Sequence, residues 1–314
     1  MIRRPPRSTL SPSSAASDVY KRQIKHIYKE IRKNWKDRYW WKGRIIYYYT
    51  NLRQNNGIFI MNEDWDNLVI LDACRYDTFR EVACVDVDYR ISRGSSTDEF
   101  LKENFANNKY NDVIYVTANP YVNMICKGSF YKIISVWKYA WNDEIGTVPP
   151  EAVVKYALEV EKEHPDKRLI IHFLQPHYPF IGNPEIRGRK ERAFNTDKYI
   201  YNPFIEVQKG NLRLEEVYKA YKRNLEIVLP HAFYLARKLK GKSIITADHG
   251  EAFNDWAFPL PFRVLAHPSY THIPALVKVP WLVFESKERK EIRKGDEKQR
   301  LKEKIKRLRE RGRV

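Results

Sequence analysis

Carboxylate, imidazole and amide side chains stand at the ends of four short apolar segments of this chain. The segments NLVILD, DVIYVTA, RLIIHFL and KSIITAD occupy residues 67–72, 112–118, 168–174 and 242–248. Each is brief, rich in β-branched residues and nearly continuous in apolarity, which is typical of strands buried on both faces of a parallel sheet. The polar residues at or just beyond their carboxyl ends are Asp72, Asn119, His177, Asp248 and His249.

In an open parallel sheet, ligands bind beyond the carboxyl ends of the strands. Each of these polar residues alone is better explained as a helix cap or a turn residue, but their coincidence indicates one site. The most specific pair is Asp248 and His249, which places a carboxylate beside an imidazole directly after a strand. Gly250 then allows the backbone to turn tightly. The sequence therefore predicts a ligand site at this edge of the sheet.

Helical segments separate the predicted strands. The segment PPEAVVKYALEVEKEHP has prolines at its start and Pro165 just past its end, which are the usual boundaries of a helix. The longer segment LEEVYKAYKRNLEIVLPHAFYLARKLKG precedes the fourth strand, and we expect Pro230 to kink it. Strands that alternate with helices predict a layered α/β domain.

Four regions of the chain differ in composition. Residues 1–23 look like a translated sequencing adapter and are left out of the fold prediction. Residues 24–60 are basic and aromatic, and their first apolar residues have helical spacing. Residues 61–284 hold the predicted strands and helices. Residues 285–314 are highly charged, and we expect a helical or frayed tail because they have little apolar surface to bury.

The net charge of +18 favours acidic partners, which include nucleic acid, anionic lipid headgroups and phosphorylated substrates. Nucleic acid is the least favoured of these, because no nucleic-acid-binding motif is present and the charge concentrates outside the strand segments. The basic and aromatic residues of 24–60 are interpreted as a helix packed on the domain. Peripheral contact with a membrane surface is the alternative for this region.

The cysteines bear on the cellular compartment. The chain has three cysteines, Cys74, Cys84 and Cys126, an odd number without the spacing of a metal site. This pattern does not indicate a disulfide framework and therefore predicts a reducing environment. No apolar run approaches the ~20 residues that a membrane-spanning helix needs. No signal-peptide pattern is present either. We therefore expect a location in the cytoplasm or peripheral to a membrane, and a true N-terminus lost upstream of residue 24 is left open.

Four motifs together resemble the alkaline phosphatase–sulfatase superfamily. NLVILDACRYDTF resembles the opening strand of that superfamily with its first metal ligand, and ITADHGEAF resembles its metal-binding Asp-His segment. FLQPHYPF resembles its substrate-binding His segment, and LAHPSYTHIPALVKVPW resembles its late His segment. The matches run in the expected order over 65–281. Within the superfamily, the closest likeness is to archaeal sulfatase-like proteins of undefined substrate.

The resemblance implies a three-layer α/β/α fold with a mostly parallel central sheet, and a sulfatase-like catalytic domain over 61–284. It also implies a metal-dependent hydrolase or transferase that acts on phosphate or sulfate esters. The substrate would be a phosphorylated or sulfated molecule, with glycans and lipid-linked molecules as candidates.

The nucleophile implied by the resemblance is a Thr, Ser or modified Cys some distance after the first metal ligand. The run SSTDEF fits that interval and is typical of a helix N-terminus. Thr97 is the first choice and Ser96 the second, and either residue is also explained as a helix cap. Cys74 lacks the Cys-x-Pro-x-Arg context of the formylglycine sulfatases and is interpreted as a small core residue.

The number of metal ions is inferred from a pair of ligands that two-metal members have and this chain lacks. Two-metal members of the superfamily use Asp-x-x-x-His for the second ion, and no Asp of this chain has a His four residues later. The resemblance therefore implies one divalent ion, with Mn²⁺, Zn²⁺, Mg²⁺ and Ca²⁺ as candidates. Its expected ligands are Asp72, Thr97, Asp248 and His249.

The remaining site residues are expected to face the substrate. His177 and His267 would contact its oxygens, and one of them would protonate the leaving group. Arg75, Arg93 and Asn119 are candidate substrate-binding residues, although a solvated surface role explains either arginine equally well. A core role is expected for His172 and a structural one for His272. The alternative to an enzyme is a non-catalytic basic protein that binds nucleic acid or an anionic membrane surface.

Overall fold

The computed structural model describes residues 25, 28–51, 56–186 and 201–295. The chain divides into two compact units, residues 1–49 and 50–314. In the first unit, residues 28–34 are helical, and α1 (Arg38–Asn51) begins shortly after them. The aromatic residues that follow the segment of helical spacing are therefore helical as well. Residues 1–23 lie outside the described part of the chain.

The second unit contains nine described strands and eight described helices besides the end of α1. The strands are β1 (Asn67–Asp72), β2 (Asp88–Ile91), β3 (Tyr110–Thr117), β4 (Phe130–Ser135), β5 (Arg168–Pro176), β6 (Ser243–Ala247), β7 (Ala252–Trp256), β8 (Arg263–Ala266) and β9 (Lys278–Phe284). The helices are α2 (Tyr76–Ala83), α3 (Thr97–Phe105), α4 (Tyr121–Ile125), α5 (Trp137–Ala140), α6 (Pro150–Glu163), α7 (Pro203–Lys209), α8 (Leu214–Lys238) and α9 (Pro274–Val277).

Seven strands form the central sheet in the order β2-β9-β6-β1-β5-β3-β4. The strands from β6 to β4 are parallel to their neighbours, whereas β9 is antiparallel to both β6 and β2. The four strands predicted from the sequence are β1, β3, β5 and β6, and they lie next to one another in the middle of the sheet. Buried central strands need continuous apolar sequence, and these four have it.

Helices cover both faces of the sheet. One face packs against α2, α6 and α8, and the other packs against α3 and α4. Side chains of each strand alternate between the two layers, so Val69 and Leu71 belong to one core and Leu68 and Ile70 to the other. This arrangement is the predicted three-layer α/β/α fold with a mostly parallel sheet. The helix α8 runs unbroken through Pro230. Among the described residues, none of the helices is long and apolar enough to cross a bilayer.

The C-terminal stretch differs from the predicted helical or frayed tail. Residues 285–295 have no regular structure but lie against the domain. Arg289 pairs with Asp64 and Asp66, and the amide of Arg293 donates to the carbonyl of Asp166. Lys290 is buried and pairs with Glu161 of α6. The prediction considered only apolar burial, whereas charged groups hold this stretch. Residues 296–314 lie outside the described part of the chain.

We expect the buried Lys290 to make stability depend on its partner. Lys290 Nζ lies 2.5 Å from Glu161 Oε2 and 3.2 Å from the carbonyl oxygen of Lys167. Glu161→Ala leaves this cation buried without its counter-charge, which costs about 3 kcal/mol of unfolding free energy in urea titrations. The double variant Glu161→Ala/Lys290→Met removes both charges and should regain most of that loss. An equal loss in the single and double variants would contradict the pairing.

Candidate metal centre

Two adjacent strands bring the acidic residues together. Asp72 is the last residue of β1, and Asp248 follows the last residue of β6, which pairs with β1 in parallel. Both carboxylates are therefore delivered to the same edge of the sheet, and both are buried. Backbone amides hold the second one, because Ala73 N and His249 N donate to Asp248 Oδ1 at 3.1 and 2.9 Å.

The imidazole of His249 completes the group with a defined tautomer. His249 Nδ1 lies 2.7 Å from the carbonyl oxygen of Gly250, which can only accept a hydrogen bond, so Nδ1 carries the proton. Nε2 is left with its lone pair and lies 3.5 Å from Asp248 Oδ2 and 3.8 Å from Asp72 Oδ1. A Cβ atom at Gly250 would collide with the carbonyl oxygen of Ala275, so only glycine allows this close approach.

A hydroxyl from a third element enters the same space. Thr97 is the first residue of α3, and its Oγ1 donates to Asp248 Oδ2 at 2.8 Å and lies 3.2 Å from His249 Nε2. The structure thus brings together all four residues that the resemblance nominated as metal ligands. Ser96 behaves differently, because its Oγ is bonded to Asp98 Oδ1 at 2.6 Å and to Ser269 Oγ at 2.8 Å.

Asn119 and His172 have roles that the sequence did not predict. Asn119 Nδ2 donates to Asp72 Oδ2 at 2.8 Å, so it orients a carboxylate of the centre, and its contact with the substrate stays a prediction. His172 Nδ1 lies 3.0 Å from the hydroxyl of Tyr115. Its buried Nε2 has no hydrogen-bond partner and lies 3.6 Å from Asp248 Oδ2. It is therefore not a satisfied core histidine. The only sequence signal was a histidine inside an otherwise apolar strand.

The electrostatics of the group suit a cation. Burial raises the pKa of Asp248 to about 6, because the carboxylate loses its water. Burial lowers the pKa of His249 to about 4 and that of His172 to about 3, so both imidazoles are neutral near pH 7. Two buried carboxylates beside neutral imidazoles form a costly arrangement without a positive charge. Mixed O and N ligands of this kind fit a divalent metal ion. A second set, Asp72, His172 and Asp248, overlaps this group.

A neighbouring group contains His177, Glu251 and His267, whose ligand atoms all lie within 4.8 Å of one another. Glu251 is buried, with Oε1 2.9 Å from His267 Nδ1 and Oε2 without a hydrogen-bond partner. The ring centroids of His249 and His267 are 4.7 Å apart, so this group adjoins the metal centre. Glu251 was missed at the sequence level, although it completes the Asp-His-Gly-Glu run.

The two arginines nominated for substrate binding both have partners within the domain. Arg75 forms ion pairs of 2.5 Å with Asp77 and 2.7 Å with Asp255. Arg93 lies 3.6 Å from Glu103 and over the ring of Phe59. Arg75 Nη1 also donates to the carbonyl oxygen of Glu251 at 3.0 Å, in the group beside the metal centre. Substrate binding by either arginine stays a prediction.

Cys74 matches its interpretation as a small core residue. It is fully buried in the core on the α2, α6 and α8 face, and burial raises the pKa of its thiol. The thiolate that nucleophilic attack requires is therefore disfavoured at this position.

The fold and the site together define a three-layer α/β/α protein with a polar cluster at the carboxyl edge of its sheet. No protein-family model and no curated protein sequence matches the chain. Solved structures do match. The chain is similar to the integral membrane protein lipooligosaccharide phosphoethanolamine transferase A from Neisseria meningitidis, with a TM-score of 0.50 and 14% sequence identity. The match covers 87% of this chain and 60% of that protein, so the chain spans less than two thirds of its length.

Two further structures are similar over shorter parts. The soluble domain of the same Neisseria meningitidis transferase matches at 16% identity and a TM-score of 0.49, covering 70% of this chain and 76% of that domain. An alkaline phosphatase superfamily protein from Vibrio parahaemolyticus matches at 15% identity and a TM-score of 0.31, covering 71% and 51%. The similarity to the full-length transferase supports the fold class, and the narrower likeness to archaeal sulfatase-like proteins stays a prediction.

We expect metal affinity to fall in acid, because Asp248 must be ionised to bind a cation. With a pKa of about 6, Asp248 is charged in most molecules at pH 7 and protonated in most molecules at pH 5. The apparent affinity for Mn²⁺ or Zn²⁺ should therefore be about tenfold lower at pH 5 than at pH 7. His249, with a pKa of about 4, stays neutral over this range. Calorimetric titration of metal-free protein at both pH values measures the change, and an affinity that rises in acid would refute it.

Proposed function

We propose that this chain is a metal-dependent enzyme that hydrolyses or transfers phosphate esters, with Thr97 as the nucleophile. The observation that carries the proposal is the position of Thr97 Oγ1 within 3.2 Å of both Asp248 and His249. A hydroxyl needs activation to become a nucleophile, and a bound cation with a nearby base provides it. The start of α3 also favours the incoming anion, because unpaired backbone N–H groups lie there.

One divalent ion held by Asp72, Thr97, Asp248 and His249 would lower the pKa of the attacking hydroxyl and polarise the ester oxygen. The chain's own groups then account for the transfer. Thr97 Oγ1 attacks phosphorus in line, and the bond from phosphorus to the leaving oxygen breaks as the Thr97 ester forms. The hydroxyl proton passes to Asp248 Oδ2, the acceptor 2.8 Å away.

The neighbouring histidines serve the leaving group. An imidazole of His177 or His267 gives its proton to the departing alkoxide. His267 is suited to this exchange because Glu251 holds its Nδ1 at 2.9 Å, which leaves Nε2 on the other side of the ring. In the second half of the reaction, water or an alcohol attacks phosphorus and gives its proton to the imidazole. The bond from phosphorus to Thr97 Oγ1 breaks, and Oγ1 takes back the proton held by Asp248. Water gives a hydrolase and an alcohol gives a transferase.

The substrate class rests on the neighbours and on charge. The similar membrane protein from Neisseria meningitidis is named as a lipooligosaccharide phosphoethanolamine transferase. By analogy, we propose a phosphate ester on a lipid or glycan carrier, with sulfate esters as the other candidate. A cytoplasmic location stays a prediction based on the three free cysteines.

Peripheral membrane contact of the first unit belongs to the same proposal. Its described residues include eight Lys or Arg and two acidic side chains. Tyr28, Trp35 and Trp41 are exposed among them. Basic residues together with exposed aromatic rings suit an anionic bilayer surface. Nucleic-acid binding without ester turnover would instead support the non-catalytic alternative.

The direct test is turnover of soluble aryl phosphate, phosphodiester and aryl sulfate substrates after loading with Mn²⁺, Zn²⁺, Mg²⁺ or Ca²⁺. We expect phosphate-ester cleavage with at least one of these ions. Sulfate turnover alone would move the assignment to sulfatases. No turnover of any ester, with or without an added alcohol acceptor, would contradict the proposal.

The nucleophile is tested by three matched variants. Thr97→Ala removes the covalent route and should lower kcat by roughly 10³-fold or more. Ser96→Ala should change kcat little, because its hydroxyl is bonded to Asp98 and Ser269. Cys74→Ala should also keep its activity. Mass spectrometry should find a phosphorylated peptide that contains residue 97. An active Thr97→Ala with an inactive Cys74→Ala would reverse the assignment.

Chelation should abolish turnover and leave the fold intact. The sheet and helices pack through apolar clusters to which none of the four proposed metal ligands belongs, so circular dichroism should be unchanged. Metal analysis of reloaded protein should give one ion per chain. Full activity after exhaustive chelation would contradict the proposed chemistry. A second tightly bound ion would assign His177, Glu251 and His267 to metal binding.

A further inference from the structure

A short hairpin of the second unit ends in an exposed aromatic loop. Strands β7 and β8 pair in antiparallel fashion, and residues 257–262 join them. We call residues 256–262, with the sequence WAFPLPF, the hairpin tip, which includes the last residue of β7. Phe258 is 85% exposed and Trp256 is 53% exposed. Single apolar side chains on a surface are ordinary, but two large aromatic rings on one projecting loop are a feature of interaction surfaces.

The base of this hairpin is attached to the proposed catalytic groups. Strand β7 begins directly after Glu251 and β8 ends directly before His267, and these two side chains contact each other at 2.9 Å. Near the base, Phe253 packs against the rings of Tyr218 and Tyr221 at centroid distances of 5.0 Å. The tip is therefore fixed in position relative to the metal centre. At about 3.3 Å per strand residue, it lies roughly 15 Å beyond the base.

The charge around the tip is positive. The guanidinium of Arg263 lies over the Trp256 ring at 3.9 Å, and Arg263 is exposed. The acidic residue of the hairpin, Asp255, is paired with Arg75 at 2.7 Å. A tryptophan with a stacked arginine is amphipathic, since its ring prefers the apolar side of a bilayer interface and its cation prefers the phosphates.

We propose that the hairpin tip inserts into the interface of an anionic phospholipid membrane. The charge of the chain favours an anionic membrane over a second copy of the chain as the partner of the tip. Each copy carries a net charge of +18, so two copies repel each other. Anionic headgroups meet Arg263, and Trp256 and Phe258 lose water beneath them. The docking rests on the hairpin alone. That it also holds the metal centre above lipid-linked esters rests on the proposed function.

Vesicle co-sedimentation of the full-length protein tests this inference. The wild-type protein should bind vesicles that contain phosphatidylglycerol more tightly than vesicles of phosphatidylcholine alone. Trp256→Ala with Phe258→Ser should lower the partition coefficient about tenfold. Trp256→Phe keeps an apolar ring and should retain most of the binding. Arg263→Gln should weaken binding to the phosphatidylglycerol vesicles only.

The matched control is Tyr234→Ala. Tyr234 is 49% exposed, close to the value for Trp256, but it lies near the end of α8 that leads into β6, at the opposite edge of the sheet from the metal centre. Its substitution should leave vesicle binding unchanged. The proposal is overturned by a wild-type protein that does not bind vesicles, or by a double tip variant that binds as well as the wild type. It is also overturned if Phe258→Ser dissociates an oligomer without affecting vesicle binding.

Turnover of a soluble aryl phosphate separates this inference from the proposed function. The tip variants should keep their wild-type kcat on that substrate, because their side chains do not contact the metal centre. A protein that binds vesicles and cleaves no ester would keep the docking and remove the enzyme. A protein that cleaves the aryl ester and does not bind vesicles would support the enzyme and contradict the docking.

Discussion

Two buried carboxylates beside one another are the constraint on which the rest of this structure depends. Asp72 and Asp248 end neighbouring parallel strands and have little water around them. Such a pair is unfavourable unless a cation or a proton compensates its charge, and burial accordingly raises the pKa of Asp248. The side-chain amide of Asn119 holds Asp72, and the backbone N–H groups of Ala73 and His249 hold Asp248. A divalent cation would balance the charge of this arrangement.

The sequence could predict those parts of the molecule that obey local rules. Central strands such as β1 need continuous apolar residues, and a residue that ends a parallel strand lies at the ligand edge of the sheet. The positions of Asp72 and Asp248 could therefore be predicted from the sequence. Contacts between distant side chains could not. The ion pair of Arg75 with Asp255, which is 180 residues away along the chain, leaves no pattern in the sequence. His172 looked like a core residue because nothing in a strand pattern tells which atom of a ring lacks a partner.

The edge strands and the charged C-terminal stretch could not be predicted from the sequence, for related reasons. The partly exposed β2 and β4 have weak patterns, since only one side of each is enclosed. The stretch 285–295 has little apolar surface, yet Lys290 and Arg289 bind it to acidic groups on the domain. Charge pairing over long sequence separations carries no periodic signal, whereas helix and strand burial does. The structure was therefore needed to define the periphery of the domain.

The parallel pairing of β1 with β6 also fixes when the metal centre can exist during synthesis. Ala73 and Asp248, which share a hydrogen bond, are separated by 175 residues. A nascent chain that has released β1, β3 and β5 from the ribosome already has much of its sheet but only one of the two acidic residues. Contacts of such long range form late, because closing the intervening chain is entropically costly. Capture of the ion is thus coupled to completion of the domain, so partly made chains have no assembled site with which to compete for metal.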